Sequence, residues 1–165
     1  MAVKEKYATF FLAGIYFGIP AVAVQEVLEY LNVIRVPLAP ATLPGIINLR
    51  GQIIPVLDLR ERLLLAPREA RSLADTRMAV VRTDEGLFTL LIDRVGEILD
   101  VDSDSFEPPA ETLKPGVRAV TSHICKLKTQ LLLILDLSKL CQFPEQVAAG
   151  EPSPQVAGSK VHEFA

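Results

Sequence analysis

The sequence predicts a mostly β protein built as two small barrels that share a core, and three observations carry that prediction. The first is an internal repeat. Displaced by 71 positions, Val24-Gln25-Glu26-Val27-Leu28-Glu29 falls on Val95-Gly96-Glu97-Ile98-Leu99-Asp100, and Phe17, Ile19 and Pro37 meet Phe88, Leu90 and Pro108. Displaced by 78, Gln52-Ile53-Ile54-Pro55-Val56-Leu57-Asp58-Leu59 lies over Gln130-Leu131-Leu132-Leu133-Ile134-Leu135-Asp136-Leu137. The growth of the offset places seven extra residues in the second copy, in the Pro-rich stretch around Pro108 to Pro115. Three segments repeated in the same order indicate duplication rather than a chance likeness between apolar strands. The second observation is rhythm: short apolar runs are punctuated about every ten residues by turn signals, as in small closed barrels. The third is size. Halves of about 60 residues would each bury only about 60% of their unfolded surface, so they are expected to pool their cores.

Taken in order, Thr9-Phe10-Phe11-Leu12 and Ile15-Tyr16-Phe17 flank Ala13-Gly14 and read as a hairpin that ends at Gly18-Ile19-Pro20. Val24, Val27, Leu28 and Leu31 stand at helical spacing, which predicts a short helix or helical turn within 21–31, with Glu26 and Glu29 facing water. Asn32 to Pro37 resumes β character, and Pro37, Pro40 and Pro44 force an extended loop. Gly45 and Gly51 are read as turn-makers: Ile46 to Leu49 runs into the hairpin turn Arg50-Gly51 and returns as Gln52 to Leu59. Pro55 lacks a backbone donor, which predicts an edge position or a bulge there. The polar stretch 66–77 links the halves. Met78-Ala79-Val80-Val81, Leu87 to Ile92, Val95 to Val101, Ile124 to Leu127 and Gln130 to Leu137 repeat the plan, and the Pro-, Gly- and Ser-rich tail 144–165 is expected to be mobile.

Composition narrows function. The 17 basic and 20 acidic residues leave a net charge of −3, with no electrostatic footprint for nucleic acid, and the lack of Trp removes the best stacking platform. Cys125 and Cys141 are 16 residues apart with no CxxC pair, so they read as reduced, buried thiols, and neither a metal nor a cofactor is expected. Lys4 and Lys6 precede an uncharged run from Tyr7 to Gln25 ending near Ala21-Val22-Ala23, which imitates a secretory signal. That feature supports a rival reading, an exported β-sandwich binding protein. Against it, Gly14, Gly18 and Pro20 interrupt the run, and its counterpart Met78 to Val95 carries Arg82, Asp84, Glu85 and Asp93. No other segment approaches the roughly 20 apolar residues of a membrane helix.

Catalytic motifs are not apparent. Gly45 and Gly51 have the wrong spacing for a phosphate loop, and the Ser residues lack a nucleophile-elbow pattern. Asp58 and Asp136, each in a Leu-Asp-Leu context at a strand end, read as caps or turn acceptors.

Val24-Gln25-Glu26-Val27, Arg35-Val36-Pro37 and the continuous Gly45-Ile46-Ile47-Asn48-Leu49-Arg50-Gly51-Gln52-Ile53-Ile54-Pro55-Val56-Leu57-Asp58-Leu59-Arg60 together resemble the CheW family of chemotaxis coupling proteins, over about residues 7–143. The resemblance implies two intertwined, five-stranded SH3-like barrels within a domain spanning 1–143, with barrel 1 at about 7–65, a linker at 66–77 and barrel 2 at about 78–143. It implies a non-catalytic, cytoplasmic adaptor between the tip of a chemoreceptor and the regulatory domain of the histidine kinase CheA. It carries onto Val24, Glu26 and Arg50 a role in receptor binding, and it assigns no kinase-binding residue. The second hairpin departs from the family pattern, with His123-Ile124-Cys125-Lys126-Leu127-Lys128-Thr129-Gln130 where glycines are common.

Overall fold

The architecture is that of a computed structural model, which describes residues 3–68 and 70–142 and, within these, all side chains except those of 70–72. The expected tail, 144–165, lies outside the described residues. Twelve strands are present among them. The first half supplies β1 (Lys4–Leu12), β2 (Ile15–Pro20), β3 (Val24–Glu29), β4 (Ile34–Arg35), β5 (Gly45–Leu49) and β6 (Gln52–Asp58). The second supplies β7 (Arg77–Thr83), β8 (Gly86–Ile92), β9 (Arg94–Asp102), β10 (Phe106–Glu107), β11 (Thr121–Lys126) and β12 (Leu131–Leu135). Three one-turn α-helices, α1 (Leu59–Arg62), α2 (Pro115–Arg118) and α3 (Leu137–Leu140), and 3₁₀ segments at Ala21–Ala23, Ala70–Asp75 and Ser103–Ser105 complete it.

The strands form two six-stranded sheets, ordered β4-β5-β6-β8-β7-β3 and β10-β11-β12-β2-β1-β9. Each order becomes the other when every strand is replaced by its repeat partner, so the duplication governs topology as well as sequence. The register repeats too. The parallel pair Ile134↔Gly18 becomes Val56↔Thr89 under the two offsets, and Phe10↔Phe17 becomes Val81↔Phe88. The leading hairpin of each half, however, is handed to the other half's sheet: β1–β2 joins β9–β12, and β7–β8 joins β3–β6. The sheets therefore cross the boundary at 66–77, and each has six strands where five were expected. The connection between β10 and β11, 108–120, is longer than its counterpart 36–44 and contains α2.

Hairpin exchange explains the unbroken apolar run of β12. Leu132 and Ile134 face the second sheet's own core with Tyr7, Tyr16, Val101 and Cys125, whereas Leu133 and Leu135 face a core common to both sheets. A strand with both faces buried has no polar positions to alternate. In the first sheet, Ile54 and Val56 line the local core while Leu57 and Leu59 enter the common one with Phe10, Phe17, Phe88 and Leu90. The uncharged N-terminal run is thus β1 and β2, and its Phe10, Leu12, Phe17 and Ile19 are central to that common core.

Three local expectations are corrected. Residues 24–29 are a strand, and only Ala21–Ala23 forms a helical turn, of the 3₁₀ type. Side-chain exposure alternates along β3, and pairing with β7 outweighs the i, i+3, i+4 spacing that predicted a helix. Pro55 lies in β6, an interior strand. It is tolerated because β8 pairs only with Val56–Asp58, so the missing N–H interrupts no ladder on that flank. Gly45 is not a turn residue but the buried first residue of β5; a Cβ there would sit 2.1 Å from the Ile34 carbonyl oxygen. It lets β4 cross closely. Gly51 does make the turn, with φ of 85° following Arg50 at 51°, the signature of a type I′ hairpin.

Candidate functional site

The residues expected to meet a receptor converge at one end of the first sheet. Arg50 occupies the tip of the β5–β6 hairpin, which is held by Asn48 Oδ1 accepting from the Gly51 amide at 2.9 Å. From that tip the Arg50 guanidinium reaches β3 and donates from Nη2 to Glu26 Oε2. Although β3 and β5 are far apart in strand order, the sheet curls enough for this ion pair to close the barrel end. Arg50 remains 67% exposed and Glu26 25% exposed, so the carboxylate is the supported partner and the cation faces solvent. A register shift in β3 falls between Val24 and Glu26: Val24 is paired with Val81 and packs against the common core, whereas Glu26 is paired with Val80, so Val24 has a structural duty beside any surface role. Gln25 and Val27 are exposed, and Gln25 accepts a 2.9 Å bond from Arg82.

A second polar cluster holds the exchanged hairpins together, and sequence reasoning did not single it out. Asp93, between β8 and β9, receives Arg60 through Nε at 3.3 Å and Nη2 at 2.5 Å, and Arg68 through Nη2 at 3.4 Å. It also accepts from the Ala13 amide at 2.8 Å, which fixes the β1–β2 turn of the other sheet. Arg60 further donates to the Ala66 carbonyl at 2.8 Å, and Arg68, only 7% exposed, lies 3.8 Å from Asp58. Burial pulls the Asp93 pKa upward, but the Arg60 hydrogen bond, the Ala13 amide and the charges of Arg60 and Arg68 outweigh it and hold the carboxyl below its ordinary value. Neither Asp93 nor Arg60 has a counterpart in the repeat, where Val22 and Ser138 occupy the matching positions. A charge with no charged counterpart in the other copy was the available signal.

Asp58 and Asp136 serve as N-caps. Asp58 accepts from the Arg60 amide at 3.1 Å and Asp136 from the Lys139 amide at 3.2 Å. Both cysteines are buried and unbridged, and burial pushes the Cys141 thiol up to about 11 despite Arg62 nearby. Among the described residues no group of three or more His, Cys, Asp or Glu could hold a metal, and no helix is long and apolar enough to cross a membrane.

Fold and site together define a class: twin β-barrels with exchanged leading hairpins, an exposed ion pair at one barrel end and a partly buried charge cluster joining the exchanged hairpins. Comparison with known proteins makes this specific. The chain belongs to the CheW family; the family's CheW-like domain matches residues 6–145. It is 29% identical over 152 residues to the chemotaxis protein CheW of Treponema pallidum, covering 88% of each chain, and 27% identical over 152 residues to the protein FrzA of Myxococcus xanthus. The crystal structure of the scaffolding protein TtCheW from Thermoanaerobacter tengcongensis superposes with a TM-score of 0.75 at 31% identity, covering 86% of this chain and 94% of that one. The protein is accordingly a non-catalytic chemotaxis adaptor of the kind that couples receptors to the kinase CheA.

Proposed function

We propose that the chain works in the cytoplasm, at receptor arrays, by holding a chemoreceptor tip and the regulatory domain of a CheA-type kinase at the same time, with Arg50, Glu26 and Val24 forming the receptor surface. The observation that carries this reading is the Arg50–Glu26 pair at the barrel end, where a planar cation with unused donors faces solvent on a carboxylate support. Such a guanidinium matches carboxylates on a helical receptor hairpin in a way that an ammonium does not. Kinase contact is placed on a separate surface, at strand edges left unpaired by the sheets, which is where β proteins accept partners. Transient signalling contacts bury less than about 1,200 Å² each, so affinities in the micromolar range follow. Isothermal titration of the purified chain with a receptor cytoplasmic fragment and with the kinase regulatory domain tests the reading. Heat and co-elution with both are expected; silence with every kinase of the source organism would sink it.

A further inference from the structure

Arg68 is the least exposed cation of any salt bridge among the described residues, and it is poorly satisfied. A guanidinium carries five N–H donors. Here Nη2 makes one 3.4 Å hydrogen bond to Asp93, Nη1 lies 3.8 Å from Asp58, too far to bond, and Nε has no partner. Arg60 takes the shorter bond to Asp93, at 2.5 Å, and Asp58 is committed to capping α1. A cation so desolvated and so little bonded is costly to hold, which makes the space it faces informative.

Arg68 lines a cavity of about 370 Å³ where α1, β8 and the segment joining the halves meet. Arg35, Asp58 and Glu61 line it too, so two guanidiniums and two carboxylates leave the lining without net charge. Val33, Leu73 and Leu91 supply apolar wall. Arg35 and Glu61 are exposed, and their side chains have no hydrogen bond or salt bridge among the described residues. A ligand of a single sign would meet one of these free groups and be repelled by the other. A ligand carrying both signs satisfies each.

We propose that this cavity binds a zwitterionic α-amino acid with an apolar side chain. Its carboxylate meets the guanidiniums of Arg68 and Arg35, its ammonium meets Glu61, and its side chain lies against Val33, Leu73 and Leu91. A guanidinium fork matches a carboxylate in two parallel bonds, and apolar walls with a few convergent polar groups are the usual make-up of a small-ligand site. Arg68 belongs to the segment joining the halves and Glu61 to α1, so the ligand would tie the two together and stabilise the folded chain by mass action. The inference goes beyond the coupling function and does not rest on it; its failure would leave that reading standing.

The test titrates the full chain with L-leucine, L-valine and two leucine analogues that each lack one charge: isocaproate, without the ammonium, and isoamylamine, without the carboxylate. Calorimetry should show saturable binding of L-leucine in the millimolar range or tighter, with each analogue at least tenfold weaker. Amide NMR should place the shifted signals at Leu73 and Leu91. Arg35→Gln and Glu61→Gln alter exposed, unbonded groups, so each should keep the melting temperature while weakening L-leucine at least fivefold. Arg68→Gln should abolish binding but also takes a partner from Asp93, so the two exposed variants decide. Isocaproate or inorganic phosphate bound as tightly as L-leucine would overturn the zwitterion, as would L-leucine binding unchanged in both exposed variants. Saturable binding of neither amino acid, or amide shifts confined to another surface, would overturn the site.

Discussion

Reversing the charge at Arg50 separates a receptor contact from a structural ion pair, and the expected sizes can be worked from the geometry. In Arg50→Asp the pair with Glu26 is lost and two carboxylates face each other. Because Arg50 is two-thirds exposed, the lost attraction is worth about 0–1 kcal/mol, and the repulsion a similar amount. The backbone works the other way, since at φ of 51° aspartate is better accommodated than arginine. The net destabilisation should stay near 1 kcal/mol, or about 2–4 °C in melting temperature for a chain of this size. Receptor affinity should fall by tenfold or more, which is about 1.4 kcal/mol, with kinase affinity unchanged. The decisive companion is Glu26→Arg combined with Arg50→Asp. It rebuilds the ion pair with its ends exchanged, so stability should return to within about 0.5 kcal/mol of the parent, while receptor binding stays weak because the exposed end of the pair is now acidic. Calorimetric melting and titration with a receptor fragment read the two quantities independently. Receptor binding restored along with stability would refute direct contact and make Arg50 a positioning residue for the barrel end; unchanged receptor binding in Arg50→Asp alone would remove it from the site.

Three further outcomes follow from the structure. Asp93 has a lowered folded pKa, so it contributes stability that is present above the unfolded carboxylate pKa near 4 and is lost as pH falls through the folded value; urea midpoints measured from pH 6 downward should decline, and Asp93→Asn should flatten that decline and cost about 2–3 kcal/mol at pH 7 by stranding Arg60 and Arg68. Gly45→Ala should destabilise by about 1–3 kcal/mol because β4 must move off β5, with Gly51→Ala nearer 1 kcal/mol for its left-handed backbone, both read by denaturant unfolding. Tyr7 is pushed up to about 12 by burial and by its hydrogen bond to Glu5; its stabilisation is complete below pH 10 and fades from there toward 12, and phenolate absorbance in a Tyr7→Phe difference titration should show the late ionisation, moved earlier by Glu5→Gln.

Much of this fold is legible in the sequence because the repeat is. The offsets of 71 and 78 identify which strands correspond, and the structure keeps that correspondence down to the pairing of Ile134 with Gly18 and of Val56 with Thr89. Exchange of the leading hairpins is not legible from apolar pattern alone. The strands that make the exchange are buried on both faces, and copies as alike as β2 and β8 offer β6 and β12 near-equivalent partners. The helix expected near Val24 failed because pairing with the neighbouring β7 overrides apolar spacing that by itself fits a helix. Gly45 shows the limit for glycines, since a close crossing by Ile34 and a turn leave the same residue in the sequence. The Arg50–Glu26 pair itself was not legible, because it joins positions 24 apart and depends on how far the sheet curls. Asp93 escaped notice because its partners, Arg60, Arg68 and the Ala13 amide, come from three separate segments.

The central claim is that one chain holds two partners at once. Sedimentation velocity of the full chain mixed with a receptor cytoplasmic fragment and the kinase regulatory domain, each labelled with a different chromophore, measures this directly. The account predicts a single boundary faster than any pair, carrying all three absorbances. Two slower boundaries that trade amplitude as one partner is raised would mean that receptor and kinase compete for the same surface, and would contradict it.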